Sequence, residues 1–332
     1  MSTSDLTLSE LKGITSYTTY SNGQLRECRI NEENIIRTSY GDFIPHYSRP
    51  DIRTKDVKSL SFHQNGKIHS IYLEKQSLVR TPSGIFSAEL ITFHEDGSLD
   101  SVFPLNGQIG FGWSEEDERE LAQDYTIELL QGKITVKING IRFFPDGKLR
   151  NIIFWSDETI LLSTPIGEFP VRRGVRFYEN GQIYSFEPAI PINLKTPIGD
   201  ILSYDVSAAL VESDFNSVVF DREGRLFRVK TSGDIIVSNP RIGRMRISSR
   251  RRLEWSEDVM VMTPLTVTFN GDTVTINNGE ESWSWLLCES EFLILPDIDV
   301  TLGLGCGVKC NCCNSCCGTG RDFFSGQQGR IL

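Results

Sequence analysis

The residues best suited to chemistry are six cysteines within twelve residues near the C-terminal end: Cys306, Cys310, Cys312, Cys313, Cys316 and Cys317. Short spacings between thiolates let one loop wrap a soft ion, because tetrahedral sulfur sites need several ligands within about 4 Å of each other. The segment therefore predicts a site for Zn²⁺, Cu(I) or an iron–sulfur cluster. Its expected central ligands are Cys310, Cys312, Cys313 and Cys316.

The compartment decides how these thiols are used. Met1 to Thr7 is polar and lacks the positive start and apolar run of a signal peptide, and no segment approaches the roughly 18 apolar residues of a membrane helix. We therefore expect a cytoplasmic protein without a transmembrane segment, in which crowded thiols favour metal ligation over disulfides. A disulfide knot and lipidated or partner-linking thiols are the alternatives, and secretion would reverse the inference.

A second chemical feature is the strip from Arg241 to Arg252, which holds six arginines in twelve residues. Its candidate anion-binding residues are Arg244, Arg246, Arg250, Arg251 and Arg252. Arg244 and Arg246 alternate with apolar residues, which predicts a strand with one charged face. Such a strip could hold phosphates, an acidic partner or anionic lipid, or its arginines could pair with local carboxylates.

Two of the four histidines, His63 and His94, occupy the same place in successive repeats, directly after a large apolar residue. A two-histidine site is conceivable. Because the same position continues as Phe144, Tyr178 and Asp221, we favour an ordinary cross-strand ladder instead.

Composition restricts the function classes. The formal net charge of -10 argues against a general nucleic-acid binder. No phosphate-binding loop, serine nucleophile elbow or H-E-x-x-H helix occurs. We therefore expect a non-catalytic protein, with a thiol-redox enzyme as the alternative because Lys309 lies among vicinal cysteines.

These side chains would be carried by a repeat. One phrase recurs: a large apolar residue, two variable residues, Asn, Asp or Glu, then Gly, one residue, and Leu or Ile. It spans Phe62 to Ile68, Phe93 to Leu99, Phe143 to Leu149, Phe177 to Ile183 and Phe220 to Leu226, with a weaker first copy at Thr19 to Leu25. Asx-Gly supplies the positive φ of a two-residue hairpin turn, so each copy predicts a tight hairpin with one buried face.

A second phrase lies between the copies: Thr81 to Gly84, Thr164 to Gly167 and Thr196 to Gly199, each Thr-Pro-x-Gly, with Asn239-Pro240 and Thr263-Pro264 as relatives. It predicts a second turn in each unit. Glycine spacings of 43, 31, 50, 34 and 43 residues between copies indicate insertions. One insertion, Ser114 to Ala122, predicts a short exposed helix because a Ser cap precedes acidic residues.

The chain is thus predicted to be all-β: an array of antiparallel hairpin or meander repeats, extended or solenoid-like, with a short helical insertion. We divide it into the array at 1–244, a β-rich capping section at 245–300 and the cysteine- and glycine-rich tail at 301–332. In the capping section, Asn270-Gly271 predicts a hairpin and Trp283 and Trp285 alternate as in a strand.

The repeated phrase resembles the MORN-repeat-variant family of bacterial hairpin arrays, over residues of about 17–230. The units here are longer, and the Thr-Pro-x-Gly turn is not part of that pattern. The resemblance implies a β-sheet array that binds proteins or lipid surfaces and carries no catalytic residues.

Three functions follow as expectations. The first is a repeat scaffold that binds a protein partner and whose tail binds a soft metal. The second is a metallochaperone or thiol-redox protein that uses the tail. The third is a membrane-surface scaffold that binds anionic lipid through the arginine strip.

Overall fold

The structure, a computed structural model, describes residues 10–205, 216–254 and 259–296, with the backbone alone at 251–254 and 259–261. Its first strands are β1 Ile14–Thr19, β2 Leu25–Ile30, β3 Ile36–Thr38, β4 Gly41–Phe43, β5 Leu60–Phe62, β6 Ile68–Thr81, β7 Gly84–Phe93, β8 Leu99–Phe103, β9 Asp124–Leu129, β10 Gly132–Phe143, β11 Leu149–Phe154, β12 Thr159–Thr164 and β13 Gly167–Phe177. The remaining strands are β14 Ile183–Pro188, β15 Ile192–Thr196, β16 Gly199–Ser203, β17 Val218–Phe220, β18 Leu226–Thr231, β19 Asp234–Asn239, β20 Gly243–Ile247, β21 Arg250–Glu254, β22 Val259–Thr263, β23 Leu265–Asn270, β24 Thr273–Asn277, β25 Ser282–Leu286 and β26 Glu291–Leu295. One α-helix, α1 Glu115–Glu120, occurs in these residues, and a 3₁₀ turn spans Leu287–Glu289. The all-β hairpin prediction is confirmed.

The repeated phrase builds one antiparallel meander, the main sheet. Its strands pair in the order β1, β2, β5, β6, β7, β8, β10, β11, β13, β14, β17, β18, β23, β24 and β25. The aromatic residue that opens each of the five strong copies is buried, with at most 2% of Phe62, Phe93, Phe143, Phe177 and Phe220 exposed. The copies are therefore successive hairpins of a single sheet.

The turns of these hairpins differ from the two-residue prediction. In the second copy, Gly66 N–H donates to His63 O at 2.9 Å, and His63 N–H donates to Lys67 O at 2.8 Å, which leaves three loop residues. Gly66 has φ +86°, whereas no Asn or Asp of these turns has a positive φ. The register also slips by one residue between Ser61 and Phe62. This is a type I turn followed by a left-handed glycine and its bulge.

The Asn or Asp side chain of this turn accepts a hydrogen bond from the backbone two residues further on. Asn65 Oδ1 accepts the Lys67 N–H at 3.0 Å, and Asp96 and Asp146 make the same bond to Ser98 and Lys148. The sequence signal was therefore read correctly as a hairpin but assigned to the wrong turn type. The Asn or Asp side chain stabilises the loop, and only the glycine needs the left-handed conformation.

The second phrase builds a second layer of hairpins. In β6–β7, Thr81 pairs with Gly84, and Thr81 Oγ1 donates to Gly84 O at 2.9 Å. The same bond closes β12–β13 and β15–β16 as predicted, and it also closes β3–β4 at Thr38, where no proline is present. Thr263-Pro264, in contrast, joins β22 to β23, which lie in different sheets, so its assignment as a hairpin turn was wrong.

Both layers share one hydrophobic core. Residues of the second-layer hairpins, including Phe43, Phe86, Ile127 and Leu194, belong to the same buried cluster as the main-sheet phenylalanines. The long strands β6, β7, β10 and β13 contribute to both layers, because one half of each lies in the main sheet and the other half in a hairpin.

Turns of the two layers interlock with a fixed offset. A methyl group placed on Gly147 would lie 3.2 Å from Cγ of Pro82, and one placed on Gly224 would lie 3.3 Å from Cβ of Pro165. In each case a second-layer turn meets the glycine turn two copies further along the chain. Tyr40 follows the same rule, because its hydroxyl accepts the N–H of Leu99 at 3.0 Å.

The C-terminal section continues the same sheet. Strand β23 pairs with β18, and β24 and β25 follow it, so the main sheet ends at β25. Trp285 is buried, and Trp283 packs against the core. The proposed boundary at 244/245 falls within β20, and the tail at 301–332 lies outside the described residues.

Candidate functional site

The residues predicted to do chemistry lie in three places. The six cysteines from Cys306 to Cys317 lie outside the described residues, so their metal site stays a prediction. Among the residues that are described, no group of three or more His, Cys, Asp or Glu side chains could hold a metal ion. No helix in that part of the chain has the length and apolar character needed to span a bilayer.

The arginine strip forms the strand that was predicted. Arg244 and Arg246 are exposed on β20, while Ile247 of the same strand is buried. Arg246 Nε donates to Asp234 at 2.7 Å, and Arg241 and Arg250 form ion pairs with Glu289 and Glu280. Half of the six arginines thus already have carboxylate partners.

Arg244 differs from its neighbours. It has no ion pair among the described residues, and it lines a cleft of about 620 Å³ together with Cys288 and Glu291. Arg251 and Arg252 lie on β21, and their side chains are outside the described part of the chain.

The histidines serve the array. His63 Nε2 donates to Phe93 O at 2.8 Å, and His94 Nε2 donates to Phe143 O at 3.1 Å. Each ring therefore reaches the backbone of the next copy, which is the ladder that was favoured over a two-histidine site.

A cluster of buried polar side chains surrounds Glu187, which is 1% exposed. Its carboxylate accepts the Ser217 N–H at 2.7 Å, the Ser217 hydroxyl at 3.0 Å and the Asp205 N–H at 3.4 Å. The bonds from Ser217 lower the pKa of Glu187, but burial outweighs them and raises it to about 7. The cluster joins β14 to the residues on both sides of 206–215, Asp205 and Ser217.

The feature that sequence reasoning missed is a pair of exposed apolar side chains, Ile52 and Phe111. Phe111 is fully exposed, with a relative accessibility of 109%, and Ile52 is 67% exposed. They come from two insertions, 51–55 and 106–113, that pair with each other: Lys55 N–H donates to Gln108 O at 3.0 Å, and Thr54 bridges Ile109. We call this pair the Ile52–Phe111 knob.

Glycines bring the two insertions of the knob into contact. A methyl group placed on Gly110 would lie 2.6 Å from Ile52 O, and one placed on Gly112 would lie 2.8 Å from Cγ1 of Ile52. A side chain at Gly110 would force the two loops apart because it meets backbone, and one at Gly112 would displace the side chain of Ile52. Phe111 therefore stands between two residues that must be small.

Asp51 fixes the other loop of the knob. Its Oδ1 accepts the N–H groups of Arg53 at 2.9 Å and Thr54 at 2.7 Å, and the Thr54 hydroxyl at 2.8 Å. These hydrogen bonds hold the pKa of Asp51 below its ordinary value, and the bonds from Thr54 contribute most. This Asx turn holds Ile52 outward while Arg53 points inward.

Arg53 anchors the knob to the fold. Nε and Nη2 donate to Glu118 at 2.9 and 2.8 Å, and Nη1 and Nη2 donate to Glu89 at 2.9 Å each. Both carboxylates are buried, and Trp113 Nε1 also donates to Glu118 at 2.9 Å. The Glu118 bond is the main cause of the raised pKa of Arg53. Bidentate pairs of this kind fix orientation as well as distance.

The helix beside the knob is held in the same way. Ser114 and Asp117 form a capping box, which confirms the predicted helix, although Glu118 on its inner face is buried. Arg119 Nε donates to Asp157 at 2.8 Å, and a small apolar cluster of Leu105, Ala122 and Trp155 lies beneath the insertion. The knob thus presents two large apolar side chains on a base of buried ion pairs.

Comparison with known proteins gives no relative for this arrangement. No protein-family model, no curated protein and no solved structure matches the chain.

Proposed function

We propose that this protein is a non-catalytic β-repeat scaffold that binds a protein partner, and that the Ile52–Phe111 knob is the contact site. The observation that carries the proposal is the full exposure of Phe111 on a base that Arg53 fixes by four charge-assisted bonds. Soluble proteins place arginine outside and phenylalanine inside, and here adjacent insertions do the reverse. An outward aromatic residue on a fixed base suits a partner's pocket.

Rigidity supports this use. Binding loses less conformational entropy when the contacting loops are already ordered, so a pre-organised knob converts more of its buried area into affinity. Burial of one Phe or Ile side chain contributes roughly 1.5–3 kcal/mol. Two such side chains can form the centre of a protein interface.

The array supplies the scaffold. Four side-chain bonds between consecutive copies, from Tyr20, His63, His94 and Tyr178, tie the main sheet together along its length. Insertions between copies are then held at fixed places on a continuous sheet, as the knob is.

Photocrosslinking tests this function. p-Benzoylphenylalanine replaces Phe111 in cells that express the protein naturally, and it replaces Leu78, which is 69% exposed on β6, as the control. We expect one protein to be captured from position 111 and not from position 78. Its affinity, measured by calorimetry with purified proteins, should fall at least about tenfold in Phe111→Ala and Ile52→Ala but stay unchanged in Leu78→Ala. If Phe111→Ala and Ile52→Ala bind the partner as tightly as Leu78→Ala and the wild type, the knob is not the contact site.

The metal-binding tail is the second part of the proposal, and the sequence pattern of the six cysteines supports it. Elemental analysis of full-length protein purified without oxygen should find a stoichiometric soft metal. The variant with Cys310, Cys312, Cys313 and Cys316 all changed to Ser should lose it, whereas Cys28→Ser should not. A metal-free wild-type protein with six freely reactive tail thiols would end this part of the proposal.

A further inference from the structure

The surface next to the Ile52–Phe111 knob is acidic. Glu115, Glu116 and Glu120 are exposed on α1 and form no ion pair among the described residues. Of the nearby cations, Arg53 is engaged with two glutamates and Arg119 with Asp157 and Glu158. Arg49 and Lys55 are exposed at the loop of Ile52, and Arg173 lies within electrostatic range of Glu115. Five exposed carboxylates still outnumber these three cations, so the surface is acidic overall: Asp51, Glu115, Glu116, Asp117 and Glu120.

These carboxylates lie close enough to act on the same partner as Phe111. Glu115 is four residues from Phe111, and a chain of that length spans at most about 14 Å. The Debye length is about 8–10 Å at physiological salt, so a partner seated on Phe111 lies within reach of the charge. Unpaired charge beside an apolar anchor selects partners by complementarity.

The sign of the charge separates the candidate occupants. An anionic membrane or a nucleic acid would be repelled by these carboxylates. A second copy of this chain would bring a net charge of -10 against another of -10. A protein surface with Lys or Arg beside an apolar pocket would be attracted.

We infer that the partner offers an apolar pocket with a basic rim, which takes the Phe111 ring while Glu115 and Glu116 pair with the rim. This inference rests on the proposed function, because it specifies the partner of the same site. Arginine on the rim would give the stronger pairing, since its guanidinium meets a carboxylate with two parallel bonds.

The test uses the protein captured at position 111 and a double charge reversal, Glu115→Lys/Glu116→Lys. The matched control is Glu95→Lys/Glu128→Lys, which changes the net charge equally at exposed sites near the ends of β8 and β9 that lie away from α1. Calorimetry at about 50 mM and about 300 mM sodium chloride brackets the screening range. We expect the wild type and the control to bind at least tenfold more weakly at the higher salt, and the Glu115/Glu116 variant to bind weakly at both.

The outcomes separate the two proposals. If the Glu115/Glu116 variant binds as tightly as the wild type while Phe111→Ala does not, the basic rim is wrong and the knob stands. If Phe111→Ala binds normally, or nothing is captured at position 111, the proposed function fails and the inference fails with it.

Two direct measurements test the other occupants. Sedimentation with phosphatidylserine vesicles tests a membrane, and sedimentation equilibrium tests a second copy. In either case, binding that Phe111→Ala abolishes would overturn the basic-rimmed protein partner.

Discussion

His63 Nε2 lies 2.8 Å from the carbonyl oxygen of Phe93, and this bond joins one copy of the repeat to the next. Tyr20 makes the equivalent bond to Phe62 O at 2.8 Å, and Tyr178 makes it to Phe220 O at 2.9 Å. The donor always follows the first position of its copy, and the acceptor is the buried Phe of the next copy. Tyr and His at the second position of a copy therefore share one property: each has a donor that reaches the carbonyl of the next copy's Phe.

The fourth copy lacks this donor, because Phe144 occupies its place. A phenylalanine has no polar atom to donate to Phe177 O, the carbonyl that the rule would assign to it. Phe144→Tyr should supply the missing bond and raise the free energy of unfolding by about 0.5–1.5 kcal/mol. Urea unfolding, monitored by circular dichroism, measures this gain in the free energy of unfolding.

Tyr178→Phe is the matched control, since it removes the same bond one copy later. We expect a loss of similar size. The ladder would have no energetic role if Phe144→Tyr gave no gain and Tyr178→Phe gave no loss.

Arg53 should be far more important to stability than an exposed arginine. Arg53→Met leaves Glu89 and Glu118 buried without their cation, and breaking a buried ion pair in this way costs roughly 3–5 kcal/mol. Arg29→Met is the control, because its ion pair with Asp56 is exposed and surface pairs contribute about 0–1 kcal/mol. Thermal unfolding compares the two variants. Equal melting temperatures would show that the ion pairs of Arg53 with Glu89 and Glu118 do not stabilise the insertions 51–55 and 106–113.

Much of the fold could be predicted from sequence because its signals are local. The aromatic residue, the Asx-Gly turn and the following Leu or Ile lie within seven residues, so alternation and turn chemistry locate each hairpin. The turn type was missed because Asn-Gly favours both a two-residue turn and the second and third positions of a three-residue loop. Only the register slip beside Phe62 separates them.

The knob could not be predicted, because its parts are distant in sequence and its exposure reverses the usual rule. Nothing in the residues around Ile52 points to Phe111, and the pairing of insertions 51–55 and 106–113 depends on the offset between copies. The spacing of glycines around Phe111 was the one available signal. It shows a need for small residues but does not say which loop they must meet.

Gly174 is required where β13 passes from the main sheet to the second layer. Its φ is +149°, and a methyl group there would lie 2.3 Å from the carbonyl oxygen of Ile152. Gly174→Ala should therefore cost at least about 3 kcal/mol, because backbone rather than a side chain must move. Gly132 also has a positive φ, +125°, but a methyl group there would meet nothing within 4 Å. Gly132→Ala should therefore lower the free energy of unfolding by only about 1 kcal/mol. Urea midpoints that coincide for the two variants would contradict this.

Glu187 should make stability depend on pH in an unusual direction. Burial raises its pKa from 4.5 to about 7, so the folded chain binds more protons than the unfolded chain between those values. The free energy of unfolding therefore falls as pH rises through this window, by up to about 1.4 kcal/mol per pH unit from this group. The contribution is fully present below the unfolded pKa and is lost above about pH 7.

Glu187→Gln should remove this contribution, because the amide keeps an acceptor for Ser217 N–H but does not ionise. Unfolding free energies at pH values from about 4.5 to about 7.5 should then decline less steeply in the variant than in the wild type. Glu95→Gln, at an exposed turn, should leave the wild-type slope intact. The difference in slope between the wild type and Glu187→Gln reports Glu187 together with its electrostatic interaction with Asp205. Parallel curves for the wild type and Glu187→Gln would mean that this carboxyl titrates normally despite its burial.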